Sequence, residues 1–253
     1  MRERAALFFP IGKWLLEQPR SGADVRRQRT RFLWEGEKGG ENMEKNWSLL
    51  EELAKYTVPE LCDGMETYRI MDWQIKPWVG RPRIAGYALT VEVPAGESGI
   101  VPDAICAAKK GDVIVIAGKG DCRLSYWGDH RSLCAGKQGA VGVIVDGAFR
   151  DLEGCEEEGF PVFARALTCR SAGKAKTGAI GVPVECGGVT VCPGDLIVAD
   201  VNGICVLKEE EVPAILIRTR NKIRSQAYTR QEMERTGKVI PRILPVPEPE
   251  KQP

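Results

Sequence analysis

Residues 127–151, which read WGDHRSLCAGKQGAVGVIVDGAFRD, constrain the fold more than any other part of the chain. Within them, residues 141–145 form a short apolar run rich in β-branched side chains, punctuated by Gly139, Gly142 and Gly147. Such a run favours a fully buried parallel strand over a helix. The residues before it predict a loop and then a helix. The stretch is therefore expected to form one loop, helix and strand unit.

The predicted strand brings Arg150 and Asp151 to its carboxyl end. Residues at the carboxyl ends of strands in open α/β sheets face the ligand crevice. An aspartate there is a hard oxygen ligand for a divalent cation, and an arginine offers planar donors to a carboxylate or a developing enolate oxygen. Upstream, Gly128 permits close backbone approach to a ligand, and the N–H groups that follow begin a helix whose positive end suits an anion.

The rest of the chain predicts alternating helices and strands, which argues for an α/β domain. The first helix is expected to be capped by Asn46 or Ser48, and a second helix is expected to start at Thr57 with Pro59 in its first turn. Further helices are predicted at residues 100–109, 151–158 and 209–224, and strands at 83–93, 113–117, 141–145, 160–165, 184–191 and 196–207. Residues 193–195 are expected to form a turn.

Several segments in one order resemble a known family. Asp129, followed after twenty intervening residues by Arg150 and Asp151, resembles the aldolases for 4-hydroxy-4-methyl-2-oxoglutarate and 4-carboxy-4-hydroxy-2-oxoadipate, a family that includes regulator of ribonuclease activity A. The resemblance covers roughly residues 49–207 and is most specific at residues 111–113, 129–151, 159–165 and 193–203. It implies the swivelling β/β/α architecture of the ribonuclease-regulator/aldolase-like type. It also implies assembly as homotrimers or homohexamers, with each active site near a subunit interface.

The resemblance further implies a class II pyruvate aldolase that cleaves a 4-hydroxy-2-oxo acid and decarboxylates oxaloacetate, both through the enolate of pyruvate. Asp151 would hold Mg²⁺ or Mn²⁺, which acts as the Lewis acid, and Arg150 would stabilise the developing negative charge. The backbone of Gly128, Asp129, His130 and Arg131 would bind the substrate carboxylate, and Asp129 would also orient a proton-carrying water.

Other interpretations of these residues stay open. Arg150 and Asp151 taken alone are typical of a helix cap beside a surface arginine. His130 could act as an acid or base, or simply face solvent. Schiff-base catalysis by Lys119, Lys137 or Lys174 and nucleophilic catalysis by Cys134 receive smaller weight.

Residues 118–121 resemble the glycine-rich loop of the family, but Lys119 interrupts its run of glycines. The chain departs from the family pattern at two further places. Gly154 stands where an acidic residue is expected, and residues 218–230 lack the expected carboxylate. The competing function is a non-catalytic regulator that binds an RNA-degrading enzyme. A methyltransferase has little support, because no G-x-G-x-x-G follows a first strand.

Composition bounds the class of protein. A net charge of +1 gives no electrostatic reason to expect nucleic acid, and nine scattered cysteines without a C-x-x-C pair indicate neither a disulfide framework nor a structural zinc site. No apolar stretch approaches the ~20 residues of a membrane span. These features predict a cytoplasmic protein with no nucleic acid or membrane partner, and the resemblance to the family implies a small 2-oxo acid as the substrate.

Three segments are expected along the chain: a non-native or disordered extension at residues 1–42, a single α/β domain at 43–235, and a flexible proline-rich tail at 236–253. Residues 38–43 back-translate to a purine-rich ribosome-binding site before a start codon, which leads to the hypothesis that translation begins at Met43. The intact mass of protein made from the native transcript tests this hypothesis.

Overall fold

The computed structural model describes residues 45–80 and 82–251. The hypothesis about Met43 and the predicted extension therefore lie outside the described residues. Helices are α1 (Trp47–Leu53), α2 (Val58–Gly64), α3 (Val101–Ala107), α4 (Asp129–Gln138), α5 (Leu152–Glu158) and α6 (Val212–Thr236), with a 3-10 turn at Glu209–Glu211. Strands are β1 (Lys76–Pro77), β2 (Ile84–Glu92), β3 (Asp112–Ser125), β4 (Gly142–Phe149), β5 (Val162–Leu167), β6 (Ala179–Ile180), β7 (Val184–Cys186), β8 (Val189–Val191), β9 (Leu196–Asp200) and β10 (Gly203–Leu207).

One sheet organises the described part of the chain. Its order is β1-β5-β4-β3-β2-β9-β10, and β6 also pairs with β2. Strands β2, β3, β4 and β5 are mutually parallel, and α3, α4 and α5 connect them in sequence, whereas β1, β6, β9 and β10 pair antiparallel. The predicted α/β class is confirmed, and the fold is of the swivelling β/β/α type expected from the family.

Three apolar clusters hold these elements together. One lies between the sheet and α3, α4 and α5, and includes the fully buried Trp127 and Phe149. A second lies on the other face under the β7–β8 hairpin, and a third joins α1, α2 and α6 to β9 and β10. Strand β4 is buried along its whole length, as its continuous apolar run predicts.

Local capping signals position the first two helices as predicted. The Asn46 side chain accepts a hydrogen bond from the Leu49 N–H and caps α1, while Ser48 donates to Asn46 instead of capping. Thr57 and Glu60 form a reciprocal capping box at the start of α2. These caps satisfy N–H groups that have no partner inside the helix.

The prediction that residues 118–121 form a loop after the strand is wrong. Strand β3 continues through them to Ser125, and its register against β4 shifts between Ile116 and Asp121. Lys119 adopts a left-handed backbone (φ 56°) and pairs with Glu92 at 2.8 Å. The glycines therefore permit an irregular continuation of the strand, as in a β-bulge, and do not end it.

Helix α6 extends to Thr236, twelve residues beyond the predicted end at 224. The proline-rich residues that follow contact this longer helix. Asn221 exchanges two hydrogen bonds with the backbone of Glu250, at 2.6 and 2.7 Å, and the Thr229 hydroxyl accepts from the Leu244 N–H at 2.8 Å. The flexibility of the tail and the domain bounds stay predictions. Within residues 45–80 and 82–251, no helix is both long and apolar enough to span a bilayer.

Candidate active site

A cleft of about 200 Å³ lies at the carboxyl ends of β3 and β4. This volume is below the ~300–1,000 Å³ typical of drug-sized ligands and suits a small molecule. The cleft is lined by Ser98, Ser125, Trp127, Gly128, Asp129, His130, Arg131, Arg150, Asp151, Ser171, Ala172 and Lys174. All the site residues predicted from the sequence therefore line one cavity.

Buried aromatic packing fixes the loop before α4. Trp127 is 1% exposed, stacks on Phe160 with ring centroids 6.1 Å apart, and donates its indole N–H to the Ser132 hydroxyl at 2.9 Å. Its carbonyl accepts from the Ser125 hydroxyl at 2.7 Å and from the Arg150 N–H at 3.1 Å. These contacts hold the start of α4 against the end of β4.

Arg150 and Asp151 project into the cleft from the end of β4. The Arg150 Nε lies 3.0 Å from Asp151 Oδ2, and its Nη1 donates to the Ser171 hydroxyl at 2.7 Å. Ser171 therefore orients the guanidinium from the loop that follows β5. Both charged side chains stay accessible, at 45% and 40% exposure, so a ligand in the cleft can contact them.

Asp151 occupies the N-cap position of α5 but does not cap it. Its side chain makes no capping hydrogen bond, and its backbone is left-handed (φ 58°, ψ 50°), a conformation that costs a non-glycine residue about 1–3 kcal/mol. The carboxylate is instead available to the cleft. A single carboxylate completed by water fits Mg²⁺ or Mn²⁺, which retain several water ligands. No group of three metal-ligating side chains occurs in the described part of the chain.

The N-terminus of the ten-residue helix α4 forms the opposite wall. A Cβ atom on Gly128 would lie 2.9 Å from Asp151 Oδ2, so only a glycine allows the backbone to approach this carboxylate so closely. The His130 N–H donates to Asp129 Oδ1 at 2.6 Å and is not free for a ligand. Among the described residues, the N–H groups of Gly128, Asp129 and Arg131 have no protein partner, which leaves three donors for an anion.

Arg131 is a cation without an acidic partner among the described residues. Its guanidinium donates to the Tyr126 carbonyl and, at 3.2 Å, to both the carbonyl and the hydroxyl of Ser98. Burial, and to a smaller degree the charge of Arg150, lowers the pKa of Arg131 from its ordinary value. The guanidinium nevertheless carries a positive charge, because arginine is effectively always protonated in proteins. A partly buried positive charge without a carboxylate favours an anionic ligand.

Asp129 packs directly against α5. A Cβ atom on Gly154 would lie 2.8 Å from the Asp129 Cβ and 2.9 Å from its Oδ2. Gly154 therefore allows α5 to approach α4 at the point where the family pattern places an acidic residue. The position that departs from the pattern is the one that makes room for Asp129.

Sequence reasoning missed the serines that complete the cleft. Ser98 and Ser125 come from different segments, and Ser171 follows β5. The loop carrying Ser171 closes on β3 through hydrogen bonds between the Ser125 N–H and the Arg170 carbonyl (2.7 Å) and between the Ala172 N–H and the Ser125 carbonyl (3.1 Å). A cluster of small polar residues after a predicted parallel strand was the available signal.

Lys174 was expected to be solvated surface, and it is exposed, but it also lines the cleft. With Arg131 and Arg150 it gives the cavity three cationic side chains against the two carboxylates of Asp129 and Asp151. Lys119 pairs with Glu92, and Lys137 lies in the last turn of α4. Neither of these two lysines lines the cleft.

The fold and the site define an α/β protein with a small, predominantly cationic cleft at the carboxyl edge of its parallel strands. A family model for RraA-like proteins, described as Aldolase/RraA, matches residues 58–206. The chain therefore belongs to the RraA-like family of aldolases and RraA proteins.

Individual relatives span both branches of this family. A Halalkalibacterium halodurans protein named "Putative 4-hydroxy-4-methyl-2-oxoglutarate aldolase" is 37% identical over 168 residues, which cover 66% of this chain and 80% of that protein. The RNA-processing inhibitor RraA from Thermus thermophilis is 29% identical, with a TM-score of 0.57 over 60% of this chain and 92% of that chain. An uncharacterized protein of Pseudomonas syringae pv. tomato is 26% identical, with a TM-score of 0.65 over 76% and 90% of the two chains.

Proposed function

We propose that the protein is a divalent-metal-dependent aldolase that cleaves a 4-hydroxy-2-oxo acid, such as 4-hydroxy-4-methyl-2-oxoglutarate, to pyruvate and also decarboxylates oxaloacetate. The observation that carries the proposal is the position of Arg150 and Asp151, which stand 3.0 Å apart in a small cationic cleft opposite the open N-terminus of α4. The relative named as an aldolase supports the same reaction class.

The cleft offers separate groups for the carboxylate and for the 2-oxo oxygen of a 2-oxo acid. The free N–H groups of Gly128, Asp129 and Arg131 and the positive end of α4 would hold the carboxylate. Arg150, fixed by Ser171, would face the neighbouring 2-oxo oxygen. Two anchors separated in this way orient the substrate so that the bond to be broken is held in one conformation.

Cleavage of the C3–C4 bond requires a group that accepts the electron pair of that bond. In the retro-aldol reaction the 4-hydroxyl loses its proton, the C3–C4 bond breaks, and the electron pair moves into the enolate of pyruvate. In oxaloacetate the same bond breaks and CO₂ leaves. A divalent cation held by Asp151 and water would supply Lewis-acid stabilisation of the oxygen that receives the charge.

The remaining steps fall to the side chains of the chain itself. Arg150 would strengthen its hydrogen bond to the 2-oxo oxygen as negative charge develops there, a contribution worth about 2.7–4 kcal/mol for a preorganised donor. Asp129, at the first turn of α4, would orient a water that accepts the hydroxyl proton and later protonates C3. The Oδ2 atom faces Gly154, while Oδ1 is held by the His130 N–H.

Pyruvate release tests the proposal. The wild type is assayed with 4-hydroxy-4-methyl-2-oxoglutarate and with oxaloacetate, in Mg²⁺, in Mn²⁺ and in EDTA. We expect metal-dependent release, a fall of about 10²–10³-fold in kcat for Arg150→Ala, and loss of the metal-dependent rate for Asp151→Ala.

Arg123→Ala is the matched control for Arg150→Ala. Arg123 also pairs with an aspartate, Asp121, at 3.0 Å, but it is 85% exposed and lies outside the cleft. Its substitution should leave pyruvate release unchanged. If folded, metal-loaded wild type releases no pyruvate from either substrate, the proposal fails for these substrates and the regulatory role becomes the working hypothesis.

A further inference from the structure

One pair of ligating side chains next to the cleft has no role in the proposed reaction. Cys134 follows His130 by four residues, so both side chains project from the same face of α4. The Cys134 Sγ lies 3.7 Å from the His130 Nε2. His130 is exposed at the edge of the cleft, and Cys134 is half-buried one turn further along the helix.

The separation of these two atoms matches the requirement of a tetrahedral zinc ion. With a Zn–N bond of about 2.05 Å, a Zn–S bond of about 2.3 Å and a tetrahedral angle, the two donor atoms stand about 3.6 Å apart. The observed 3.7 Å therefore requires almost no change in the separation of the two donor atoms. The helix holds the backbone of both residues, so only their side chains lose conformational freedom on binding.

The chemistry of the pair differs from that of Asp151. A thiolate and an imidazole favour Zn²⁺ and similar thiophilic cations, whereas Mg²⁺ and Mn²⁺ prefer carboxylate and water oxygens. Among the described residues, the His130 imidazole has no hydrogen-bonding partner besides Cys134. Among the described residues, neither side chain therefore has to give up a hydrogen bond to a third residue.

We propose that His130 and Cys134 form a binding site for a thiophilic divalent cation such as Zn²⁺ at the mouth of the cleft, separate from the site at Asp151. Binding forms one Zn–N and one Zn–S bond and releases the thiol proton to solvent, and water fills the remaining positions. An ion held there ties the His130 ring to Cys134 and places a positive charge at the cleft mouth.

The test uses the full chain and Zn²⁺ alone. His130 is the only histidine in the sequence, so the carbon-bound imidazole protons give one set of NMR signals to follow during titration. We expect a saturable shift at a single equivalent of Zn²⁺, together with protection of Cys134 from alkylation mapped by mass spectrometry. Loss of a residue that merely supports a ligand costs about 10–100-fold in metal affinity. Loss of Cys134 itself in Cys134→Ser should therefore weaken binding at least about tenfold.

Two further variants locate the ion. Cys122→Ser removes another exposed cysteine, on β3, and should leave the titration unchanged. Asp151→Ala should also keep the His130 response, and this result holds whether or not the protein is an aldolase. The proposal is overturned if Zn²⁺ does not shift the His130 signals, if Cys134→Ser binds as tightly as the wild type, or if Asp151→Ala abolishes the response.

Discussion

Replacement of Gly128 by alanine tests whether the backbone of α4 must approach Asp151. The new Cβ would lie 2.9 Å from Asp151 Oδ2 and 3.5 Å from Arg150 Cγ. Ordinary carbon–oxygen contact begins near 3.4 Å, so the carboxylate has to retreat by about 0.5 Å, a quarter of the ~2.0–2.1 Å Mg²⁺–oxygen bond. Gly128 has an extended backbone (φ −171°), which alanine adopts without strain.

The displacement should therefore affect function more than stability. We expect Gly128→Ala to weaken Mg²⁺ binding by about 10–100-fold, comparable to the loss of a residue that supports a ligand. A misplacement of this order should lower kcat/KM by up to about 10²-fold. The free energy of unfolding of Gly128→Ala should fall by no more than about 1 kcal/mol, since alanine is a poorer N-cap than glycine.

Mg²⁺ dependence of pyruvate release and urea unfolding measure the two effects separately. Gly136→Ala is the matched control, because Gly136 lies on the same helix and its added Cβ would meet Phe160 at an ordinary 3.6 Å. This control should keep full activity and gain about 0.5–1 kcal/mol of stability. Wild-type Mg²⁺ affinity and rate in Gly128→Ala would refute the close-approach argument.

Other substitutions probe the same region and its support. Gly154→Ala should push Asp129 away from α5. Steady-state kinetics of the wild type and of Gly154→Ala should then show a fall in kcat of about 10–100-fold with little change in KM. Asp151→Gly should be about 1 kcal/mol more stable to urea than Asp151→Ala, because glycine adopts the left-handed backbone freely; equal stability would contradict this assignment of strain. The hydrogen bond from the Gln74 N–H, and then the one from Arg165, lower the pKa of Asp72. The contribution of the ionised Asp72 to the free energy of unfolding is therefore complete above about pH 4–5 and is lost as the pH falls through the folded-state pKa. Urea unfolding of wild type and Asp72→Asn should therefore converge in acid, and a gap that widens below pH 4 would contradict it.

Patterns within single segments predicted much of the fold. The unit formed by α4, β4 and α5 appears where residues 127–158 place it, because its glycines and apolar run act locally. The Asn46 cap and the Thr57 capping box have the same origin. The predicted cleft residues converge for a related reason: the loop before α4 and the end of β4 are joined by the buried Trp127.

What the sequence did not predict depends on contacts between distant segments. Strand β3 continues past Gly118 because β4 and the loop after β5 provide partners for it, and no local signal reports them. Helix α6 continues through the polar residues after 224, where the returning chain contacts Asn221 and Thr229. The left-handed backbone of Asp151 is likewise set by its surroundings, since the residue type alone is compatible with an ordinary cap.

In the proposed reaction, Arg150 and Asp151 stabilise the enolate of pyruvate with a divalent cation. Exchange of the pyruvate methyl protons with D₂O, followed by NMR, tests it most directly because no knowledge of the natural leaving group is needed. We expect exchange that requires Mg²⁺ or Mn²⁺, stops in EDTA, and is lost in Arg150→Ala and Asp151→Ala but kept in Arg123→Ala. If folded, metal-loaded wild type binds pyruvate without exchanging its methyl protons, the cleft does not stabilise the enolate.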